Sequence, residues 1–338
     1  MIPDNTIASS LDFLGRVPIP LRLAFKSGLD KAVATHQVKS RVSLNCMSVT
    51  GGEWFEPFAR VVAPAHPATL PSMLVVTCSS DILSSKNHSY YQGPALFQLS
   101  DFHPVYQKAG IPDPAGIFHP FSVIPFVFLV DKTKLGNRPI PQCWEDLLDP
   151  IYHNDITFGG SRSSDSGTYT EFNRFLLLSL YREFGPNGVI AFAHNVRHLL
   201  HHVEISRLMG SKNQQAPAIA ILPWMQAELC PRRQQCQIIW PQDGAYTMPI
   251  AFMLKPEKRE RLQPIIDYLT SQQLGKYLLH NCYPPTLLQQ CQAIPAEARF
   301  QWIGWDYVRA HNLVQQTELA STLFFNAWLQ QQEKKQCS

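Results

Sequence analysis

Charge is scarce in this chain. Asp, Glu, Lys and Arg make up 16% of its 338 residues, against roughly 25% in an average soluble protein, and the formal net charge is +3 with histidine neutral. So weak a balance offers no electrostatic case for nucleic acid. The one basic run, Lys255–Arg261, is interleaved with Glu257 and Glu260, as in a solvated helix start. Long apolar runs are missing too: the candidate Phe121–Val130 contains Pro125 and falls well short of the ~20 residues that span a bilayer. Met1 to Ser10 carry neither a basic segment nor a continuous apolar core, so no export signal is read there. The expected location is the cytoplasm, with the periplasm as the alternative if a leader has been removed. The eight cysteines, Cys46, Cys78, Cys143, Cys230, Cys236, Cys282, Cys291 and Cys337, form no C-x-x-C pair. A chain of this length needs no disulfide staples, and reduced thiols are expected. Nucleophile elbow, Walker loop, dinucleotide fingerprint and H-E-x-x-H are all absent. Asp165 beside Ser166 has no histidine that the sequence can place next to it, so catalysis has little support.

What is present is an alternation of strand-like and helix-like segments, which indicates an α/β fold. Strands are predicted at Val42–Val49, Met73–Thr77, Val123–Val130, Asp155–Phe158, Ala218–Leu222, Gln237–Trp240 and Ile250–Leu254. Helices are predicted from Glu53, over Tyr169–Phe184, around Phe192–Val203 and over Glu257–His280, and a Trp- and Phe-rich helical region closes the chain at Ala296–Leu329. The runs Phe121–Val130 and Asp243–Leu254 read as an outward and a return crossover around a separate lobe. The expected organisation is lobe one over 1–127, lobe two over 128–246, a return to lobe one over 247–290, and a C-terminal helical extension over 291–338 packed on lobe one. A hinge of crossover strands suits open–closed motion around a ligand in a cleft.

In open α/β lobes ligands bind at the carboxyl ends of strands. Four loops meet that condition, and Trp224 joins them as a candidate cleft wall. Thr50, Gly51 and Gly52 follow the first strand, and Cys78, Ser79 and Ser80 the second. Ser166, Gly167, Thr168 and Tyr169 open the helix after the strand at 155–158. Asp243 and Tyr246 stand at the return crossover, and Trp224 follows the strand at 218–222. Helix N-termini with hydroxyls favour an anion; the structural alternative is that these residues are N-caps and turns. Trp224 and Tyr246 are candidates to wall the cleft, and Cys78 could offer a thiol to a soft metal. His194, His198 and His201 would share one helical face, a metal-capable spacing, although a solvated face without metal is the preferred reading. Cys230-x5-Cys236 is not a zinc spacing and is read as two independent thiols.

Five ordered segments resemble the type II periplasmic solute-binding proteins of ABC importers, in the branch that includes iron, thiamine and phosphonate binders. They are Pro141–Tyr152, similar to "P-x-x-W-x-D-L-L-D-P-x-Y"; Ser166-Gly167-Thr168; Gly210-Ser211 followed by Ala216–Ile221; Ile239–Ala245; and the helix Ile265–Leu279 ending in Asn281–Pro285. The resemblance covers roughly residues 40 to 290. It implies a two-lobed, periplasmic-binding-protein-like II fold with a hinge of crossover strands and a C-terminal helical extension. It also implies capture of a small anionic ligand or metal chelate by hinge closure, and it places the histidine-bearing helix on the outer face of lobe two. No cofactor is required, and a metal ion or chelate would enter as ligand. The expected partner is a membrane permease or a cytosolic protein, and the chain itself is expected to be monomeric. Two other readings stay open: a cytosolic protein that delivers a metal or metallocofactor to a partner enzyme, and an enzyme on the same fold. The sequence departs from the family in lacking an export signal and in its Trp-rich tail. Pro223-Trp224 stand where iron binders carry a tyrosine pair, so a ferric-iron site of that type is not expected.

Overall fold

The computed structural model describes residues 11–49, 66–159, 171–290 and 293–336. The chain forms two compact units, one of Met1–Ile124 with Met248–Ile294 and the other of Pro125–Thr247 with Pro295–Ser338.

The first unit is built on β1 (Phe13–Arg16), helix α1 (Arg22–Ser40), β2 (Cys46–Val49), β3 (Met73–Thr77) and the short helix α2 (Ser80–Leu83). It also takes the first part of β4 (His119–Asp131). Strand β1 lies between β2 and β3 and is parallel to both, with Phe13 in register with Cys46 and with Met73. All five residues of β3 are buried, which is why Met-Leu-Val-Val-Thr reads as an unbroken apolar run and not as an alternating one.

The second unit is built on the rest of β4, β5 (Ile156–Gly159), α3 (Glu171–Asn195), β6 (Val196–Leu200), α4 (His202–Leu208), β7 (Ile219–Pro223), α5 (Trp224–Glu228) and β8 (Cys236–Ile239). Here β4 is antiparallel to both β7 and β8, while β5 is parallel to β6 and β7. Helix α3 is interrupted at Gly185, where φ is +65° just before Pro186. The left-handed backbone there needs glycine, and proline cannot continue the hydrogen-bond ladder.

Strand β9 (Ala245–Leu254) returns the chain to the first unit. Its later residues pair antiparallel with β3, Ile250 opposite Thr77 and Leu254 opposite Met73. Two helices follow, α6 (Arg259–Leu269) and α7 (Gln272–His280). On α6 the buried residues Leu262, Ile265, Ile266 and Leu269 form the stripe of an amphipathic helix. Tyr268 packs on α1, its hydroxyl donating to the Phe25 carbonyl at 2.9 Å. A Cβ at Gly28 would lie 2.5 Å from that hydroxyl, so the close approach requires glycine. Asp12, just before β1, accepts two hydrogen bonds from Arg261 of α6 at 2.7 and 2.8 Å.

The chain ends with β10 (Phe300–Gln301), α8 (Trp305–Ala310) and α9 (Leu313–Gln336). The expected packing of this extension on lobe one is corrected: it belongs to the second unit. Strand β10 pairs with the start of β9, Phe300 opposite Ala245. Phe324 of α9 lies 5.7 Å from the ring of Phe158 and 5.9 Å from that of Phe192. The Trp328 indole donates to the Val196 carbonyl at 3.1 Å, and the Gln331 amide to that of His194 at 2.7 Å. The reason is apolar complementarity: α3 and β5 present aromatic rings that only a further helix covers.

Within the second unit the segment around Trp144 is clamped to the chain that leads into β9. The Trp144 N–H donates to the Asp243 carboxylate at 2.9 Å and its indole N–H to the Gly244 carbonyl at 2.8 Å. Its ring stacks on Tyr246 at 4.1 Å and meets Phe128 edge-on at 4.9 Å. Gly244 has φ +108°, and a Cβ there would lie 2.9 Å from the Phe300 backbone. Thus two of the segments that carry the family resemblance, Pro141–Tyr152 and Ile239–Ala245, meet in space. Replacing Trp144 by Phe keeps most of the ring and leaves the buried Gly244 carbonyl without its donor. The expected loss is about 1–3 kcal/mol, read as a lower urea midpoint; Trp144→Ala, which adds a cavity, should cost about 3–5 kcal/mol.

Candidate functional site

In the first unit the parallel strands β1, β2 and β3 release their carboxyl ends on one edge. From β3 the chain runs through Cys78 and Ser79 into α2, which starts at Ser80. Ser79 is extended, at φ −77° and ψ 164°, and its hydroxyl makes no capping bond to α2. The Ser79 carbonyl accepts from the Leu83 N–H at 2.9 Å, so the turn is fixed by backbone and not by the side chain. Ser80 is half-buried. Cys78 is different. It is buried, its N–H donates to the Pro249 carbonyl at 2.9 Å, and burial, helped by the charge of Asp113, pushes its thiol far above the ordinary range. A protonated core thiol does not suit a soft metal.

Sequence reasoning missed β1 and, with it, Arg16. Gly15 is in register with Val75, so Arg16 leaves β1 on the edge where β3 gives way to Cys78 and Ser79. Arg16 is half-buried. A four-residue strand interrupted by glycine carries too little periodicity to be found; the charge that ends an apolar Phe-Leu-Gly run was the one available signal.

In the second unit β5, β6 and β7 also release their carboxyl ends on one edge, at Gly159, Leu200 and Pro223. Trp224 starts α5 there. It is half-buried, its indole donates to the Glu228 carboxylate at 3.0 Å, and it meets Trp240 edge-on at 5.3 Å. His202 follows β6 and packs over Gly159, where any Cβ would overlap its ring.

The histidines require a correction. They do not share a helical face: α3 ends at Asn195, whose side chain donates to the Leu147 and Asp149 carbonyls at 2.9 and 2.8 Å, and β6 follows. The apolar residues Val196, Leu199 and Leu200 extend alongside β5. This puts the segment in the sheet and not on an outer helix. His194 lies in the last turn of α3, and His198 lies in β6 with Nε2 at 3.0 Å from the Gln215 amide oxygen. His201 caps α4, its Nδ1 accepting from the Val203 N–H at 3.3 Å. Among the described residues no three His, Cys, Asp or Glu side chains stand close enough together to hold a metal ion.

Asp243 and Tyr246 belong to the Trp144 clamp, and Tyr246 is 2% exposed. Its position makes it a core ring of the second unit instead of a wall open to a ligand. Thr50, Gly51, Gly52, Ser166, Gly167, Thr168 and Tyr169 lie outside the described residues.

Residues 74–311 match a family described as bacterial extracellular solute-binding protein. The chain belongs to that family. Solved structures agree in fold. The Trichodesmium protein IdiA (FutA), in complex with iron and citrate ligands, aligns with a TM-score of 0.65 at 13% identity, over 92% of this chain and 98% of that one. A Bordetella ferric binding protein aligns with a TM-score of 0.61 at 12% identity, over 93% and 98%. AfuA from Actinobacillus pleuropneumoniae, with fructose-6-phosphate bound, aligns with a TM-score of 0.55 at 13% identity, over 95% and 98%. A comparison with curated protein sequences finds no match. The fold is therefore that of the two-lobed type II periplasmic binding proteins, and the chain is a solute-binding protein of the ABC-importer type. No helix among the described residues is long and apolar enough to cross a membrane.

Burial keeps His119 of the first unit and His202 of the second neutral. His119, between Phe252 at 5.1 Å and Phe97 at 5.9 Å, is held down to about 4 by burial. His202 is held down to about 3 by burial and then by neighbouring His201. The unfolded chain, with ordinary values near 6.5, takes up these protons first. Stability should be flat with respect to both groups above pH 6.5. It should then fall as pH drops toward about 4 for His119 and about 3 for His202, by on the order of 2 kcal/mol each at pH 5. Urea midpoints measured from pH 5 to 8 check this, and His119→Gln should flatten its share of the slope.

Proposed function

We propose that this solute-binding protein takes a small anion, a carboxylate, phosphate or other oxyanion, either free or as the organic part of a metal chelate. The observation that carries the reading is the edge of the first unit, where Arg16 leaves β1 and Ser79–Ser80 leave the adjacent parallel strand β3. A guanidinium can bind an oxyanion through two parallel N–H bonds, and serine hydroxyls and main-chain N–H groups are suited to supply the rest. The ligands named for the structural relatives, iron with citrate and fructose-6-phosphate, carry the same oxyanion chemistry. Direct binding of ferric iron by paired tyrosines is not part of the reading, since Pro223 and Trp224 occupy that place in the sequence. Trp224, half-exposed at the corresponding edge of the second unit, suits a flat or apolar part of the solute. Family membership makes an importer permease the typical partner.

Calorimetry and thermal-shift measurements with citrate, phosphate, sulfate and ferric citrate test the proposal. At least one of these should bind and raise the melting temperature, with a smaller radius of gyration in solution scattering. Arg16→Gln should weaken that binding roughly tenfold or more, the ~1.5–3 kcal/mol of a hydrogen bond to a charged group, and Ser79→Ala by a smaller factor. Binding of a cationic polyamine with no response to any of the anions would overturn the ligand class while leaving the family assignment intact.

A further inference from the structure

Cys230 and Cys236 bracket the turn between α5 and β8; both thiols are free, and the structure gathers them into one cluster. Both are buried and belong to one apolar cluster with Val127, Ile205, Met209 and Leu222. Their sulfurs converge on the same backbone. Cys230 Sγ is 3.9 Å from the Met209 carbonyl, and a Cβ on the next residue, Gly210, would lie 3.0 Å from Cys236 Sγ. The intervening Pro231–Gln235 is a tight, largely exposed turn, closed by the Gln235 and Cys236 N–H groups on the Arg232 carbonyl at 3.0 and 3.2 Å.

We propose that Cys230 and Cys236 form a thiol–disulfide exchange site that closes an intramolecular disulfide across this turn when the protein meets a small-molecule disulfide. Two cysteines six positions apart on one turn, both with their sulfurs at the Met209–Gly210 backbone, can bond through a local adjustment of that turn, whereas two thiols on separate rigid elements would need the elements to move. Burial, and after it the Cys230 thiol, push Cys236 up to about 12, so Cys236 rests as a protonated thiol while the turn is closed. Opening of the exposed turn hydrates the pair and leaves it beside Arg232 and Arg233, cations that favour a thiolate. One thiolate attacks the small disulfide, forms a mixed disulfide and releases one small thiol. The other then attacks the protein sulfur of that bond and releases the second. Two protein thiols have lost two electrons and two protons, and the small disulfide has become two thiols, so the exchange balances. The product ties α5, which begins at Trp224, to β8, which pairs with β4 from Cys236 onward. The site therefore gives the cell's or the surroundings' redox state a hold on the segment that carries Trp224.

The test uses the full-length protein, reduced, freed of reductant and incubated with oxidised glutathione. Remaining thiols are then alkylated and the chain is digested with trypsin, which cuts after Arg232 and Arg233 and so separates the two cysteines. The expected product is a pair of peptides held by a Cys230–Cys236 bond, two hydrogens lighter than their sum and parted by reduction. It should form about tenfold or more faster than any modification of Cys78, which is buried without a partner thiol in its turn. Cys236→Ser should instead accumulate one glutathione adduct on Cys230. Recovery of both cysteines fully alkylated, or of separate glutathione adducts on each in the unaltered protein, would overturn the proposal. The peptide map of the unaltered protein decides the matter even if the serine variant fails to fold.

Discussion

Strands β4 and β9 are buried along their whole lengths, and each contributes to both units. Successive side chains in a strand point to opposite faces, so complete burial demands cover on both faces in both units. That single requirement governs which other elements the chain must supply. Charge cannot be tolerated in such strands without a partner. Asp131 ends β4 and spends its carboxylate on the N–H groups of Thr133 and Lys134 at 3.0 and 3.2 Å. His119, at the other end, stays neutral among aromatic rings. The low charge content of the sequence follows from the same requirement: a large share of the chain lines strands with no solvated face.

The Trp144 clamp and the C-terminal helices solve two parts of this covering problem in the second unit. Trp144 fixes the start of β9 through two hydrogen bonds and a stacked ring, so the return strand begins in register. Helix α9 then closes the apolar side of β5 and α3 through Phe324 and Trp328. The tail is thus a structural member of that unit. Its aromatic content, which stood out in the sequence as an addition, is what the rings of Phe158 on β5 and Phe192 on α3 call for.

Some of this was legible beforehand and some was not, for definite reasons. Strands such as Met73–Thr77 and Ile219–Pro223 announce themselves because unbroken apolar runs have few other uses. The amphipathic stripe of α6 does so because four apolar residues repeat at helical spacing. Strand β1 escaped notice because Phe-Leu-Gly-Arg is too short to show a period, and Arg16 escaped with it. The histidines misled because a spacing of four and three fits a helical face, while Asn195 ends the helix between the first and second of them. Periodicity also says that a segment buries one face without saying against what, which is why the tail was assigned to the wrong unit. For Cys230 and Cys236, a separation of six residues does not reveal that the intervening turn folds the two thiols onto one backbone. The loops holding Thr50–Gly52 and Ser166–Tyr169 stay as the sequence presents them, because they fall outside the described residues.

Both units are assembled from separate stretches of chain. The first needs the residues up to 124 and those from 248 to 294, and the second needs 125–247 together with the tail from 295 onward. During synthesis, then, the first unit lacks β9 and α6 until long after its opening strands have left the ribosome, and the second lacks α9 until residues 313–336 have been made. Domain-by-domain folding, the usual protection for a chain of this size, is closed to it. The apolar edge that β3 offers in the first unit therefore stays incomplete until β9 has been made.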